Sequence, residues 1–219
     1  MMEYALFAIF DVPVAGAYHL VLGIAGVLNP ALAIVLFTIG VRLLLHPLAR
    51  AAARGERARA GLAPKVRALQ EKYGKNRERL QRELAALHRA EGTSMFAGCL
   101  PVLVQIPFFI VMYRMFSVPV AAGEPNALLA RTLFGTPLGA HASLSPVFFG
   151  LVAALAVVAW CSARLMKRTA GPEVPGANLL RLLPYGSALA ALVIPLAAGI
   201  YLLTTTAWAT AERAYLRRT

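Results

Sequence analysis

The sequence predicts an all-α polytopic membrane protein with five transmembrane helices and a cytoplasmic antiparallel helical hairpin between the first and the second. The first observation is that 59% of the 219 residues are hydrophobic. The second is a set of four runs without Lys, Arg, Asp or Glu, at residues 12–41, 92–113, 132–163 and 182–211. Each run exceeds the roughly 20 residues that cross a bilayer as a helix. The third is that the 22 Lys and Arg residues are clustered between these runs.

The N-terminal segment, residues 1–29, is predicted to be extracytoplasmic. It contains no Lys or Arg, which argues against a cytoplasmic N-terminus. Its acidic residues and the lack of a basic region argue against a cleavable signal peptide. Residues 12–28 are predicted to form an interfacial helix, and a sixth span is the alternative. Asn29 suits the N-cap of a helix and Pro30 its first position, which predicts that the first span begins at Pro30.

Pro195 divides the last apolar run. One helix over residues 182–211 would be about 45 Å long, which exceeds the hydrocarbon thickness of a bilayer, so two shorter spans joined by a tight turn are predicted instead. The five predicted spans are residues 30–48, 95–117, 146–166, 178–194 and 195–212. The segments between and after them are a cytoplasmic hairpin at 49–94, an extracytoplasmic loop at 118–145, a cytoplasmic loop at 167–177 and a cytoplasmic tail at 213–219.

The distribution of basic residues gives the orientation of these spans. Residues 46–94 hold 12 Lys and Arg, residues 164–181 hold four and the tail holds three, whereas residues 118–145 hold only Arg131. Because cytoplasmic loops carry an excess of Lys and Arg, the N-terminus is predicted outside and the C-terminus in the cytoplasm.

The hairpin is predicted from residues 49–91, which are rich in the strong helix formers Ala, Arg, Glu and Leu. Gly74-Lys75-Asn76 predicts a turn, and Gly92 predicts a C-cap. Two apolar stripes with helical spacing are predicted to face each other: Leu62, Val66, Leu69 and Tyr73 before the turn, and Leu80, Leu84 and Leu87 after it. The net positive charge of the hairpin suits anionic lipid headgroups or RNA, and a solvated loop that only fixes the topology is the alternative.

Several function classes lack their motifs. The sequence has no phosphate-binding glycine loop and no H-E-x-x-H pattern. Cys99 and Cys161 are interpreted as small packing residues, and His19, His46, His88 and His141 lie in different regions of the chain. We therefore expect a protein that is not an enzyme, with no cofactor, no metal and no catalytic residue.

Arg42 stands in the apolar stretch TIGVRLLLHP. Burying such a charge at the centre of a membrane helix costs about 2.5–3.5 kcal/mol even on the gentler scales. Gln105 is expected at a similar depth on the second span, and Thr204, Thr205 and Thr206 add hydroxyl groups on the last span. These residues predict a hydrated polar pocket. The alternative is a structural cation that snorkels to the interface or pairs with carbonyl groups. No acidic residue precedes Glu212 in any span, which argues against an ion pair as the reason for Arg42.

Two stretches resemble the YidC-type membrane protein insertases, in the short bacterial form without a large extracytoplasmic domain. They are TIGVRLLLHPLARAAARGERARAGLAPKVRALQEKYGKN and RELAALHRAEGTSMFAGCLPVLVQIPFFIVMYRMF. The last span, IPLAAGIYLLTTTAWATAE, has Pro195, Tyr201 and Trp208 in the family's places. It departs from the family pattern at Leu202, Thr206 and Glu212, which bears on the lining of this span.

The resemblance implies a hydrophilic groove between the five spans, closed to the outside and open to the cytoplasm and to lipid. The groove residues would be Arg42, Gln105, Tyr201, Thr204, Thr205 and Trp208. The implied function is insertion and chaperoning of nascent membrane proteins in the bacterial inner or plasma membrane, by a monomer and without nucleotide hydrolysis. Action with the ribosome or the Sec translocon is left open. The alternatives are a small solute or ion transporter and an assembly factor that translocates nothing.

Overall fold

The computed structural model describes residues 11–92, 110–121, 124–142, 145–167 and 182–216. Regular structure in these residues is mainly helical, which agrees with the predicted all-α class. The chain divides into two compact units, residues 1–44 with 107–219 and residues 45–106. Most of the predicted second span, with Cys99 and Gln105, lies outside the described residues, as does the predicted cytoplasmic loop after Lys167.

The first helix, Asp11–Val27, packs against the arginine helix, Pro30–Leu44. The first helix buries one face, whose members recur with the spacing of a helix: Val14, Ala17, Tyr18, Val21 and Ala25. The predicted helix start at Pro30 is confirmed, because the side-chain oxygen of Asn29 accepts a hydrogen bond from the N–H of Ala31 at 2.9 Å.

The arginine helix is shorter than the predicted span 30–48. It ends at Leu44, and a new helix begins at His46. Pro47 explains the break, because it has no N–H to donate and its ring would clash with the carbonyl four residues earlier.

The second unit contains the helix pair, His46–Tyr73 and Arg77–Ala90, which pack against each other. The two predicted stripes are buried or half-buried in the pair, and Leu62 is buried most deeply. Lys65 in the first helix of the pair forms an ion pair with Glu91, the residue that follows the second helix. At the turn, the side chain of Asn76 accepts a hydrogen bond from the N–H of Arg79 at 3.0 Å and so caps the second helix. Gly92 has φ 61°, which is the conformation expected of a C-cap glycine.

The linking segment, described at residues 118–121 and 124–142, contains regular structure where the sequence predicts a loop. It holds a short helix, Ala127–Ala130, and two antiparallel strand pairs, Val120–Ala121 with Glu124–Pro125 and Thr132–Leu133 with Thr136–Pro137. Buried Asn126 organises the segment, since its amide donates to the carbonyls of Met115 at 2.9 Å and Val118 at 3.0 Å.

Two hydrogen bonds join the linking segment to the first helix. The N–H of Ala127 donates to the Tyr18 hydroxyl at 2.9 Å. Arg131 Nη1 donates to the carbonyl of Ala25 at 2.7 Å, near the end of the first helix. The single basic residue of the predicted outer loop is thus tied to a helix end, where a cation is favoured by the helix dipole.

Pro146–Lys167 forms the long apolar helix. Among the described helices, it alone is long and apolar enough by itself to cross a bilayer. A second candidate results if Pro30–Leu44 and residues 46–55 are counted as one span. The five predicted spans therefore stay a prediction.

The C-terminal region is broken just before Pro195, where the sequence predicts a division. A 3-10 turn, Leu183–Tyr185, and a short helix, Gly186–Ala190, precede the break, so residues 182–194 are less regular than the predicted fourth span. The last helix, Leu196–Leu216, follows it. The last helix packs against both the arginine helix and the long apolar helix, and their contact forms much of the core around Ile34, Leu155 and Leu196.

Candidate functional site

Arg42 and Thr205 meet where the arginine helix packs against the last helix. Arg42 Nε donates to Thr205 Oγ1 at 2.8 Å, and Arg42 Nη2 donates to the same oxygen. Thr205 is only 8% exposed. A charged side chain from one apolar helix is therefore held by a buried hydroxyl of another, across 163 positions of sequence.

The arginine helix brings its polar residues to this contact at four-residue spacing. Ile34 and Thr38 are buried, and Arg42 follows at the next step on the same face. The Thr38 hydroxyl donates to the carbonyl of Ile34 at 2.7 Å, so this threonine is satisfied within its own helix. The face becomes more polar toward the end of the helix, from Ile34 to Arg42.

The last helix contributes one face with helical spacing, made of Tyr201, Thr205, Trp208 and Glu212. Tyr201 is buried, and its ring lies 5.8 Å from the ring of Phe116, centroid to centroid. Tyr201 and Glu212 are neighbours of Arg42 on this face, and the carboxylate of Glu212 is close enough to favour its positive charge. An acidic neighbour of Arg42 was not expected from the sequence. The seven-residue spacing from Thr205 to Glu212 is the signal that could have predicted it.

The neighbouring threonines differ from Thr205. Thr204 donates its hydroxyl hydrogen to the carbonyl of Ile200 at 2.8 Å, and Thr206 donates to that of Leu202 at 2.7 Å. Both side chains thus bond back into the helix that carries them.

Trp208 carries a polar atom without a partner. Its indole Nε1 is buried and has no hydrogen-bond acceptor among the residues that the structure describes. Because a buried N–H without an acceptor costs about 1–3 kcal/mol, this atom would gain from any acceptor that enters.

The structure therefore brings together part of the predicted groove set. Arg42 and Thr205 are in direct contact, Tyr201 lies near Arg42, and Trp208 lies on the same helix face as Thr205. Thr204 is bonded within its own helix. Gln105 falls outside the described residues.

A guanidinium has five N–H donors in a planar fork. In the described part of the chain, Thr205 Oγ1 is the acceptor for Arg42, and one hydroxyl cannot satisfy all five donors. A carboxylate can accept two parallel hydrogen bonds from such a fork. The arrangement therefore suits binding of water or of an anionic group.

Comparison with known proteins places the chain in a family. The model of the family described as 60Kd inner membrane protein matches residues 22–219. The membrane protein insertase YidC of Acidiphilium cryptum is 36% identical over 119 residues, which cover 54% of this chain and 20% of that protein. The chloroplastic inner membrane protein ALBINO3 of Arabidopsis thaliana is 30% identical over 215 residues, which cover 85% of this chain and 46% of that protein.

A YidC insertase of Alkalihalophilus pseudofirmus is 38% identical over 101 residues, which cover 42% of this chain and 40% of that protein. The chain thus spans less than half the length of each of these relatives. The family match nevertheless extends over most of the chain and includes both Arg42 and the last helix. The chain belongs to the 60Kd inner membrane protein family, which includes the YidC-type insertases.

Proposed function

We propose that this chain is a membrane protein insertase and chaperone that moves short polar segments of nascent membrane proteins part-way across the bilayer. The contact between Arg42 and Thr205 carries the proposal, because it keeps a cation between two apolar helices of the chain. The names of the relatives, membrane protein insertase among them, support the same function.

The role of Arg42 in this proposal is electrostatic. An ionised carboxylate is costly to move out of water into a medium of low dielectric constant. A guanidinium held in a hydrated groove lowers that cost for an acidic segment, because opposite charges attract more strongly when water is partly excluded. Tyr201 and Trp208 would line the groove, and Gln105 would add an amide. The site binds and guides a segment, and no covalent step is required.

The hydrophobic helix of the substrate drives the reaction in this proposal. Burial of its apolar surface in lipid yields roughly 25 cal/mol per Å², so no nucleotide hydrolysis is needed. The long apolar helix and the last helix would form the wall along which the substrate helix moves into lipid.

The proposal includes the five spans, an extracytoplasmic N-terminus and a groove open to the cytoplasm in the bacterial inner membrane. The helix pair would then be cytoplasmic. Its basic residues suit anionic lipid headgroups, and nascent chains would reach the groove from that side, with or without the ribosome and the Sec translocon. We propose a monomer as the active form.

Arg42 variants test the proposal with two matched substrates, single-span proteins whose short translocated segment carries either two Asp or two Asn residues. In liposomes, Arg42→Ala should impair insertion of the acidic substrate more than that of the neutral one. Arg42→Lys should retain much of the activity, since positive charge matters more here than guanidinium geometry. Arg42→Glu should impair insertion of the acidic substrate more than Arg42→Ala does, because the negative charge of the new side chain repels the acidic segment.

Thermal unfolding in detergent is the control, and we expect it to change little in these variants. Equal loss for both substrates, or a loss that follows unfolding, would return Arg42 to a structural role. Failure of the unaltered protein to insert either substrate above protein-free liposomes would favour the assembly-factor alternative.

A further inference from the structure

Glu212 is the acidic side chain nearest to Thr205 along the last helix. Seven residues correspond to about 10.5 Å along a helix axis and return to nearly the same direction. Glu212 is half-buried, whereas its chain neighbours Ala211 and Arg213 are exposed. Because helical side chains lean toward the N-terminus of their helix, Glu212 leans toward the turn that carries Thr205.

Arg42 thus has one hydrogen-bond partner and one acidic neighbour on the last helix. Thr205 accepts direct hydrogen bonds from Nε and Nη2, whereas the carboxylate of Glu212 lies farther along the same helix face, within electrostatic range. Neither the arginine helix nor the last helix carries any other Asp or Glu. Glu212 is thus the one carboxylate that these two packed helices offer to Arg42.

We infer that Glu212 is the resident counter-charge of Arg42 and sets how strongly the site prefers acidic over neutral segments of a substrate. The inference rests on the proposed function. A carboxylate that enters beside Arg42 competes with Glu212 for the same guanidinium, and Glu212 also repels it. A neutral segment meets neither effect, so Glu212 lowers the preference for acidic segments without reducing insertion in general.

Glu212→Gln tests the inference, because glutamine keeps the size of the side chain and removes its charge. With the matched acidic and neutral substrates in liposomes, this variant should raise the ratio of acidic to neutral insertion about two- to fivefold, as expected for a partly exposed charge pair. The increase should shrink at high salt, which screens such interactions. Glu78→Gln is the matched control, since it removes a carboxylate from an exposed position on the helix pair, and it should leave the ratio unchanged.

A double variant separates the charge pair from other roles of Glu212. In an Arg42→Ala background, Glu212→Gln should raise the ratio much less, because only the direct repulsion between Glu212 and the acidic segment is then removed. An increase of the same size with and without Arg42, or an unchanged ratio in Glu212→Gln alone, would overturn the inference while leaving the proposed function intact. If Arg42→Ala affected the acidic and the neutral substrate equally, both this inference and the proposed role of Arg42 would be overturned.

Discussion

The hydroxyl of Thr205 receives two N–H groups of one guanidinium, whereas the hydroxyls on either side of it serve their own helix. The difference follows from helical geometry, since adjacent residues point about 100° apart. Among the residues that the structure describes, only the middle hydroxyl of the Thr204-Thr205-Thr206 run accepts hydrogen bonds from Arg42. We therefore expect the three threonines to contribute unequally.

Thr205→Val removes the acceptor of Arg42 and nearly keeps the shape of the side chain. We expect it to lower the free energy of unfolding by about 1 kcal/mol and to weaken insertion of the acidic substrate, as measured by thermal unfolding in detergent and by insertion into liposomes. Thr205→Ser, which keeps the hydroxyl, should behave like the unaltered protein. Thr206→Val is the matched control, and an equal effect of both valine substitutions would contradict the special role of Thr205.

At this scale the sequence identifies the cation more readily than its partners. Arg42 is visible because it interrupts an apolar run, and Thr205 is predicted only as one of three neighbours. Which threonine faces inward depends on how the last helix is rotated against its neighbours, and packing fixes that rotation. Glu212 is not predicted as a neighbour of Arg42, because the end of an apolar run suggests the aqueous side, although its spacing from Thr205 places it on the same face.

At the scale of elements, the last helix and the long apolar helix approach closely at Gly199. A Cβ built at Gly199 would lie 2.5 Å from Leu151 Cδ2, and Leu151 is itself buried. Small residues permit such close packing between membrane helices. The approach helps to fix the position of the helix that carries Thr205.

Gly199→Ala should therefore destabilise the protein by about 1–3 kcal/mol, as overpacking of a core does. Gly150→Ala, in the long apolar helix, is the matched control because a Cβ there meets nothing within 4 Å. That variant should be neutral or slightly stabilising, since alanine is a better helix former than glycine. Thermal unfolding of both variants in detergent measures the difference, and a stable Gly199→Ala protein would show that Leu151 can move aside.

The observed ends of helices agree with the prediction from the sequence where a single residue has a strong conformational preference. Asn29 and Pro30 start a helix, and Gly92 ends one, as their chemistry predicts. The break after Leu44 differs from the predicted span, and Pro47 is the residue in the sequence that indicates it. The strand pairs of the linking segment were not predictable, because two-residue strands are too short to show the alternation that marks a strand.

At the scale of the whole molecule, the orientation of the chain in the membrane is the main untested prediction. It rests on the clustering of Lys and Arg on one side of the predicted spans. Phe134 is a suitable outer reporter because it is 90% exposed in the linking segment. Lys75, at the exposed turn of the helix pair, is a suitable inner one.

In a background without Cys99 and Cys161, we expect Phe134→Cys to react with a membrane-impermeant thiol reagent applied to intact cells. Lys75→Cys should react only after the membrane is permeabilised, because the cytoplasmic side is then reached. Labelling of both after permeabilisation controls for access. The reverse pattern in intact cells would contradict the predicted orientation and the cytoplasmic opening of the groove.

The start of the last helix has a consequence for the order in which the chain assembles during synthesis. The N–H groups of Leu196 and Ala197 donate to the carbonyls of Ala140 and Leu138, at 2.9 and 2.8 Å. These acceptors are synthesised more than fifty residues before their donors. The carbonyl groups of the linking segment are therefore available when the last helix emerges from the ribosome. Until that helix docks, Arg42 lacks its Thr205 partner. We therefore expect the contact between Arg42 and Thr205 to form only after the last helix has been synthesised.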